Sequence, residues 1–120
     1  MIKAQTVMVH KLNPIIENKI YQLKVLCRKY KVEKLYAFGS VISSHFNPET
    51  SDIDLIAELE KLAPIEKGEN LMNLWTELEE LFTRKIDLLS DQPIKNPFLR
   101  KNIEQTKQLI YDRRSEKVSV

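Results

Sequence analysis

Leu35-Tyr36-Ala37-Phe38-Gly39-Ser40, followed after an eleven-residue gap by Asp52-Ile53-Asp54-Leu55-Ile56-Ala57-Glu58, decides how this chain is read. The apolar run predicts a strand over Val32–Phe38, which Gly39-Ser40 stops. Asp52–Glu58 predicts a second strand. Lys85-Ile86-Asp87-Leu88-Leu89-Ser90 predicts a third, and its Ile86-Asp87-Leu88 repeats the letters of Ile53-Asp54-Leu55. Successive side chains of a strand face opposite sides. Ile and Leu of each triplet then enter a core, and Asp54 and Asp87 point to the other face. Asp52, two residues before Asp54, points the same way.

Helical patterns surround these strands. Asn13-Pro14 opens one, with Asn as cap and Pro at the first helical position. Ile16, Ile20, Leu23, Cys27 and Tyr30 follow on a single face. The segment 41–51 is a polar connection, with a helical turn expected at Val41–His45 before Asn47-Pro48. A loop holding Pro64 and Gly68 precedes an amphipathic helix over roughly 69–83, carrying Leu71, Leu74, Trp75, Leu78, Leu81 and Phe82. Pro93 and Pro97 bracket a further loop. Asn96-Pro97 repeats the Asn-Pro helix start, and Leu99, Ile103, Thr106 and Ile110 carry the last helix. The order helix, strand, strand, helix, strand, helix predicts a small two-layer α/β (α+β) domain. It is expected to occupy 13–112, after a lead-in over 1–12 and before a polar, frayed tail over 113–120.

The remaining composition excludes several classes. A chain of 120 residues allows one domain. Nineteen basic and seventeen acidic residues leave a net charge of +2, too balanced to argue for nucleic acid by bulk electrostatics. The single cysteine, Cys27, rules out an internal disulfide framework and a cysteine-based zinc site, and its place on an apolar helix face makes it a core residue. No apolar run is long enough for a signal-peptide core or a membrane span, so no membrane is expected and a cytoplasmic location is. Trp75 belongs to an apolar stripe, and Lys24, Arg28, Lys29, Lys31 and Lys34 read as a solvated basic face. His45, in the loop between Gly39-Ser40 and Asp52, reads as a solvent-exposed histidine, with a phosphate contact as the alternative, and His10 before the first helix carries no signal.

Three carboxylates on one sheet face need a cation. Aspartate is a poor strand residue, and like charges brought together repel. Carboxylate oxygens suit Mg²⁺, which takes a few protein oxygens together with substrate phosphates. Two such ions about 4 Å apart clamp the attacking and leaving oxygens of a phosphoryl displacement. Gly39-Ser40 supplies the complement: a close backbone approach, free N–H groups and a hydroxyl for phosphate oxygens. Alone, Gly-Ser is a common turn and each aspartate a solvated strand end or an edge charge. Together they point to a nucleoside triphosphate. An EF-hand fails at Ile56 and Ala57, which would have to be a polar ligand and a glycine. A P-loop needs Gly-Lys-Ser/Thr, which is absent, and a phosphoacceptor receiver needs an acidic pair where Gly39-Ser40 stands.

Gly39-Ser40 with Asp52-Ile53-Asp54, and Asp87 within Lys85-Ile86-Asp87-Leu88, resembles the signature of the polymerase-β-type nucleotidyltransferase superfamily. The short length resembles its minimal nucleotidyltransferase (MNT) group. The resemblance implies a small mixed β-sheet backed by helices. It also implies that Asp52 and Asp54 hold the metals bound to the triphosphate, that Asp87 holds the catalytic metal and helps activate an acceptor hydroxyl, and that Gly39 and Ser40 position the phosphates. It further implies Mg²⁺, two ions, with ATP as substrate and AMP as the transferred group. The implied partner is a HEPN-domain toxin whose tyrosine accepts AMP, with a homo- or hetero-oligomer open. Family members often carry Gly-Ser-Arg-x-Arg-Gly, whereas Val41-Ile42-Ser43-Ser44-His45-Phe46 follows here without Arg or Lys. The alternative is an antitoxin that neutralises its partner by contact with little or no catalysis.

Overall fold

In the computed structural model, residues 12–43, 46–90 and 95–118 are described, with side chains as far as residue 115. The Asn13 side chain accepts a hydrogen bond from the Ile15 amide at 2.9 Å and so caps a single turn, α1 (Pro14–Glu17). Asn18 and Lys19 then interrupt the expected continuous helix, and α2 (Ile20–Lys29) follows. Leu23 and Cys27, one turn apart, are fully buried on its inner face. Cys27 is thus a core residue, as its spacing predicts. Lys31 ends this unit in the left-handed region at φ 61°.

Strand β1 (Val32–Phe38) runs into a 3₁₀ turn at Gly39–Ile42. The turn begins two residues before the segment expected to be helical and overlaps it at Val41 and Ile42, and Ser44 and His45 lie outside the described residues. Strand β2 (Ile53–Leu59) returns antiparallel to β1, with Phe38 opposite Asp54. Helix α3 (Pro64–Phe82) starts five residues earlier than its apolar stripe predicts. Pro64 at the first helical position fixes that start, and the helix carries Gly68 in its interior. Leu74, Leu78 and Phe82 are its buried stripe. Thr83 stops it at φ 49°, ψ 44°. Strand β3 (Ile86–Ser90) then pairs parallel to β2.

The C-terminal part corrects the sequence reading. Helix α4 (Pro97–Thr106) is capped by Asn96, whose side chain accepts from the Phe98 and Leu99 amides, but it ends at Thr106. Ile110, read as the next helical position, lies instead in a fourth strand, β4 (Gln108–Asp112), antiparallel to β1. Its neighbours Leu109 and Tyr111 pair with Tyr36 and Leu35, more than seventy residues away in sequence, and that long-range match outweighs the local spacing. Burying Ile110 and Tyr111 ties this strand into the core. The polar residues beyond form a short helix, α5 (Arg113–Val118), rather than an irregular tail.

The sheet order is β3-β2-β1-β4, mixed because only β2 and β3 are parallel. Val32, Leu35, Ala37, Ile53, Leu55 and Ile86 meet the stripes of α2 and α3 in one core. Tyr36, which alternates with Leu35 and Ala37, lies on the opposite face under the Lys107 ammonium, 4.2 Å from the ring centroid. The Ile103 side chain of α4 is buried outside that core cluster. No helix among the described residues is long and apolar enough to cross a membrane.

Candidate active site

The candidate site lies at the end of the sheet where β1 stops and where β2 and β3 begin. Asp54 and Asp87 are direct partners in the parallel register, between the core pairs Ile53–Ile86 and Leu55–Leu88. Their neighbours Ile53, Leu55 and Ile86 are fully buried, so the two carboxylates share the other face as the period-two pattern requires. Asp54 is pushed up to about 6 from its ordinary 3.8. Burial is the main cause, followed by a hydrogen bond with Asp87, then the charges of Asp87 and Asp52. Lys85 acts in the opposite direction.

Asp52 precedes β2 and is half-buried. Its carboxylate faces Lys85, with Oδ2 3.8 Å from Nζ. Among the described residues, no three His, Cys, Asp or Glu side chains form a ready-made metal centre. The site is a facing pair, Asp54 and Asp87, with the third carboxylate beside it on a lysine. That arrangement fits Mg²⁺, which is commonly held by one or two carboxylates plus substrate phosphates. A divalent cation also answers the energetic problem of the site, because it favours the charged form of Asp54 that burial and Asp87 disfavour.

Gly39 stands directly against Asp54. It adopts φ +74°, a region that favours glycine. A Cβ there would collide with Asp54 Oδ2 and lie 3.3 Å from its Cγ. The backbone therefore touches the carboxylate because no side chain intervenes. Ser40 is half-buried in the same 3₁₀ turn, and its carbonyl accepts from the Ser43 amide at 3.0 Å. N–H groups at the start of a helical turn have no partner within it, which leaves the Gly39–Ser40 segment able to donate outward. The turn is held from behind by Asn13, whose Nδ2 donates to the Val41 carbonyl at 3.1 Å. One asparagine thus caps α1 and anchors the turn.

Helix α3 fixes β3, the strand of Asp87. Trp75 Nε1 donates to the Ile86 carbonyl at 2.7 Å, and Glu79 Oε2 accepts from the Ile86 amide at 3.2 Å. Strand β3 is a sheet edge, so these two side chains satisfy edge groups next to Asp87. Trp75 is thus more than a member of an apolar stripe. Lys85 and Arg84 are the nearby residues that sequence reasoning passed over. For Lys85 the available signal was its place two residues before Asp87, on the same face of the strand.

A groove of about 1150 Å³ runs beside the turn, lined by Tyr36, Val41, Ile42, Ser43, Lys107 and Gln108 among others, and touches none of the three aspartates. The basic face of α2 is partly neutralised. Lys29 pairs with Glu77 at 3.1 Å and Lys31 with Glu66 at 3.0 Å, and Glu77 also accepts from the Tyr30 hydroxyl.

The family Polymerase beta, Nucleotidyltransferase matches residues 21–116. Putative protein adenylyltransferase MJ1217 of Methanocaldococcus jannaschii is 36% identical over 88 residues, covering 73% of this chain and 84% of that protein. Among solved structures, one described as a "putative minimal nucleotidyltransferase" superposes with TM-score 0.57 at 21% identity, over 82% of this chain and 95% of the other. A chain of the tri-AMPylated Shewanella oneidensis HEPN toxin in complex with MNT antitoxin superposes with TM-score 0.51 at 17% identity, over 84% of this chain and 76% of that one. At those identities the superpositions speak for the fold, a mixed sheet with helices as found here. The sequence match spans α2 to α5 and includes the Gly39-Ser40 turn and all three aspartates, so the chain belongs to the polymerase-β nucleotidyltransferase family and is a nucleotidyltransferase.

Proposed function

We propose that this chain moves AMP from ATP, with Mg²⁺, onto the hydroxyl of a tyrosine in a HEPN-domain partner, and so serves as the antitoxin of a toxin–antitoxin pair in the cytoplasm. The observation that carries the reading is the register match of Asp54 with Asp87, with glycine backbone packed against Asp54. The name of the 36%-identical relative, a protein adenylyltransferase, supports protein as acceptor. The AMPylated HEPN toxin held by an MNT antitoxin supports the partner class.

In the proposed reaction the acceptor oxygen bonds to the α-phosphorus as the bond to the bridging oxygen breaks, and pyrophosphate leaves with that electron pair. Asp52, Asp54 and Asp87 would hold Mg²⁺, which would supply positive charge to the triphosphate and to the leaving pyrophosphate. Gly39 and Ser40 hold phosphate oxygens through backbone N–H groups and the Ser40 hydroxyl. Asp87 faces the reacting hydroxyl and accepts its proton. Catalysis is then mainly positioning and charge neutralisation.

A second reading has one observation in its favour. No Arg or Lys occurs among Val41, Ile42, Ser43, Ser44, His45 and Phe46, where relatives often place a phosphate-binding cation. Under that reading the chain neutralises its partner by contact. Incubating the chain, its HEPN partner, Mg²⁺ and α-³²P-ATP separates the two. Transfer predicts label on a partner tyrosine, lost with Asp54→Asn. Contact predicts no label and full neutralisation by Asp54→Asn in cells.

A further inference from the structure

Arg84 lies between the left-handed stop of α3 at Thr83 and the strand that carries Asp87, yet its side chain reaches back over thirty residues in sequence. Nη1 donates to the Ser51 carbonyl at 2.8 Å, and Nη2 donates to the Pro48 carbonyl. The guanidinium carbon sits 5.4 Å from the centroid of the Phe46 ring. Arg84 thereby grips the loop leading into Asp52 at three points. The loop is also closed on itself. Asn47 O accepts from the Thr50 and Ser51 amides, Asn47 Oδ1 from the Glu49 amide at 2.8 Å, and Ser51 Oγ from the Asn47 amide at 2.9 Å.

We propose that Arg84 is a positioning residue for the nucleotidyl transfer site: its two carbonyl contacts set the backbone that presents Asp52, and with it the third oxygen ligand for Mg²⁺-triphosphate. This rests on the nucleotidyltransferase reading of the aspartates. The peptide unit is planar, so fixing the Ser51 carbonyl fixes the plane that ends at the Asp52 Cα. Asp52 is the carboxylate that needs such help. Asp54 and Asp87 are set by the β2–β3 register, whereas Asp52 precedes the strand. The Ile53 amide donates to the Lys85 carbonyl at 3.3 Å, so the Arg84–Lys85 backbone and the Asp52 segment are already tied at one point. Arginine's planar fork suits two carbonyls at once, and a lysine ammonium offers a single point charge instead. Arg84 does not stand in for the cation absent after Gly39-Ser40: both its Nη atoms donate to backbone carbonyls, and its Nε is buried without a hydrogen-bond partner among the described residues.

The test compares the native chain with Arg84→Met and Arg84→Lys. One readout is amide hydrogen exchange at Thr50 and Ser51. The other is calorimetric titration with α,β-methylene-ATP over a range of Mg²⁺ concentrations. Arg84→Met is expected to speed exchange at those two amides at least tenfold, and to raise the Mg²⁺ concentration for half-maximal nucleotide binding at least tenfold. Arg84→Lys recovers part of both. Unchanged exchange and unchanged Mg²⁺ dependence in a folded Arg84→Met overturn the proposal. Faster exchange without any change in Mg²⁺ dependence also overturns it and leaves Arg84 a structural tether. If Arg84→Met does not fold, Arg84→Lys carries the comparison, and native behaviour in both readouts overturns the proposal. If the native chain itself binds no nucleotide, the functional reading of the site fails, and with it the role given to Arg84, while the exchange readout still reports whether Arg84 holds the loop.

Discussion

Asp54 and Asp87 face each other across the parallel β2–β3 pair, and burial together with this second carboxylate pushes Asp54 up to about 6. The relationship is a local liability. Two carboxylates placed side by side on a half-buried face cost stability unless a cation or a proton joins them.

The pH dependence of the metal-free chain follows from that shift. The folded value, about 6, lies above the ordinary 3.8, so the folded state holds its proton more tightly than the unfolded state. The contribution of Asp54 to stability is therefore fully present below about pH 4 and is lost as pH rises through about 6. In melting curves between pH 4 and 7 without divalent ions, Asp54→Asn is expected to flatten this component and to melt above the native chain at pH 7. Equal pH profiles for the two proteins would contradict the assignment.

Gly39→Ala meets two obstacles together, a positive φ and a clash with the Asp54 carboxylate. Forcing an L side chain into the left-handed region costs about 1–2 kcal/mol. The variant should lose a few degrees of Tm and, because it displaces Asp54, lose nucleotide binding by much more than the lost stability explains. Calorimetric titration with Mg²⁺ and ATP on the folded variant checks this, and native affinity would count against the close-approach argument.

Gly68→Ala is expected to do the opposite. The glycine sits inside α3, and an added Cβ would meet nothing within 4 Å. Replacing an interior helical glycine with alanine stabilises by about 0.5–1 kcal/mol. Urea denaturation should show a raised midpoint with an unchanged slope and unchanged activity. A lowered midpoint would mean that the helix does not run through residue 68.

Trp75→Phe removes the indole donor from the Ile86 carbonyl while keeping an aromatic ring on α3. A lost hydrogen bond of this kind costs about 1 kcal/mol. Because Ile86 adjoins Asp87, kcat should fall while KM for ATP changes little. A variant with native Tm and native kcat would show that the indole contact does not hold β3.

Much of this was legible in the sequence because short-range rules governed it. Strand parity placed Asp54 and Asp87 on the face opposite Ile53 and Ile86, and the register then brought them together. Asn13 and Asn96 before proline marked true helix starts. What escaped the reading depended on distant partners. Ile110 fitted the spacing of α4, and only pairing with β1 makes it a strand residue. The start of α3 was hidden because Gly68 and the charged first turns lack an apolar stripe, and Pro64 alone marks it. Arg84 was invisible because its acceptors are main-chain carbonyls, which leave no trace in the residue types of the loop it grips.

The most direct measurement is thermal melting of the native chain and Asp54→Asn, each with Mg²⁺, with ATP, and with both. Ligand at about 100 times its Kd adds about 2.7 kcal/mol, a shift of several degrees for a domain of this size. That shift is expected in the native chain only when Mg²⁺ and ATP are present together, and not in Asp54→Asn. No shift in the native chain, or an equal shift in the variant, would contradict a Mg²⁺-triphosphate site built on Asp54.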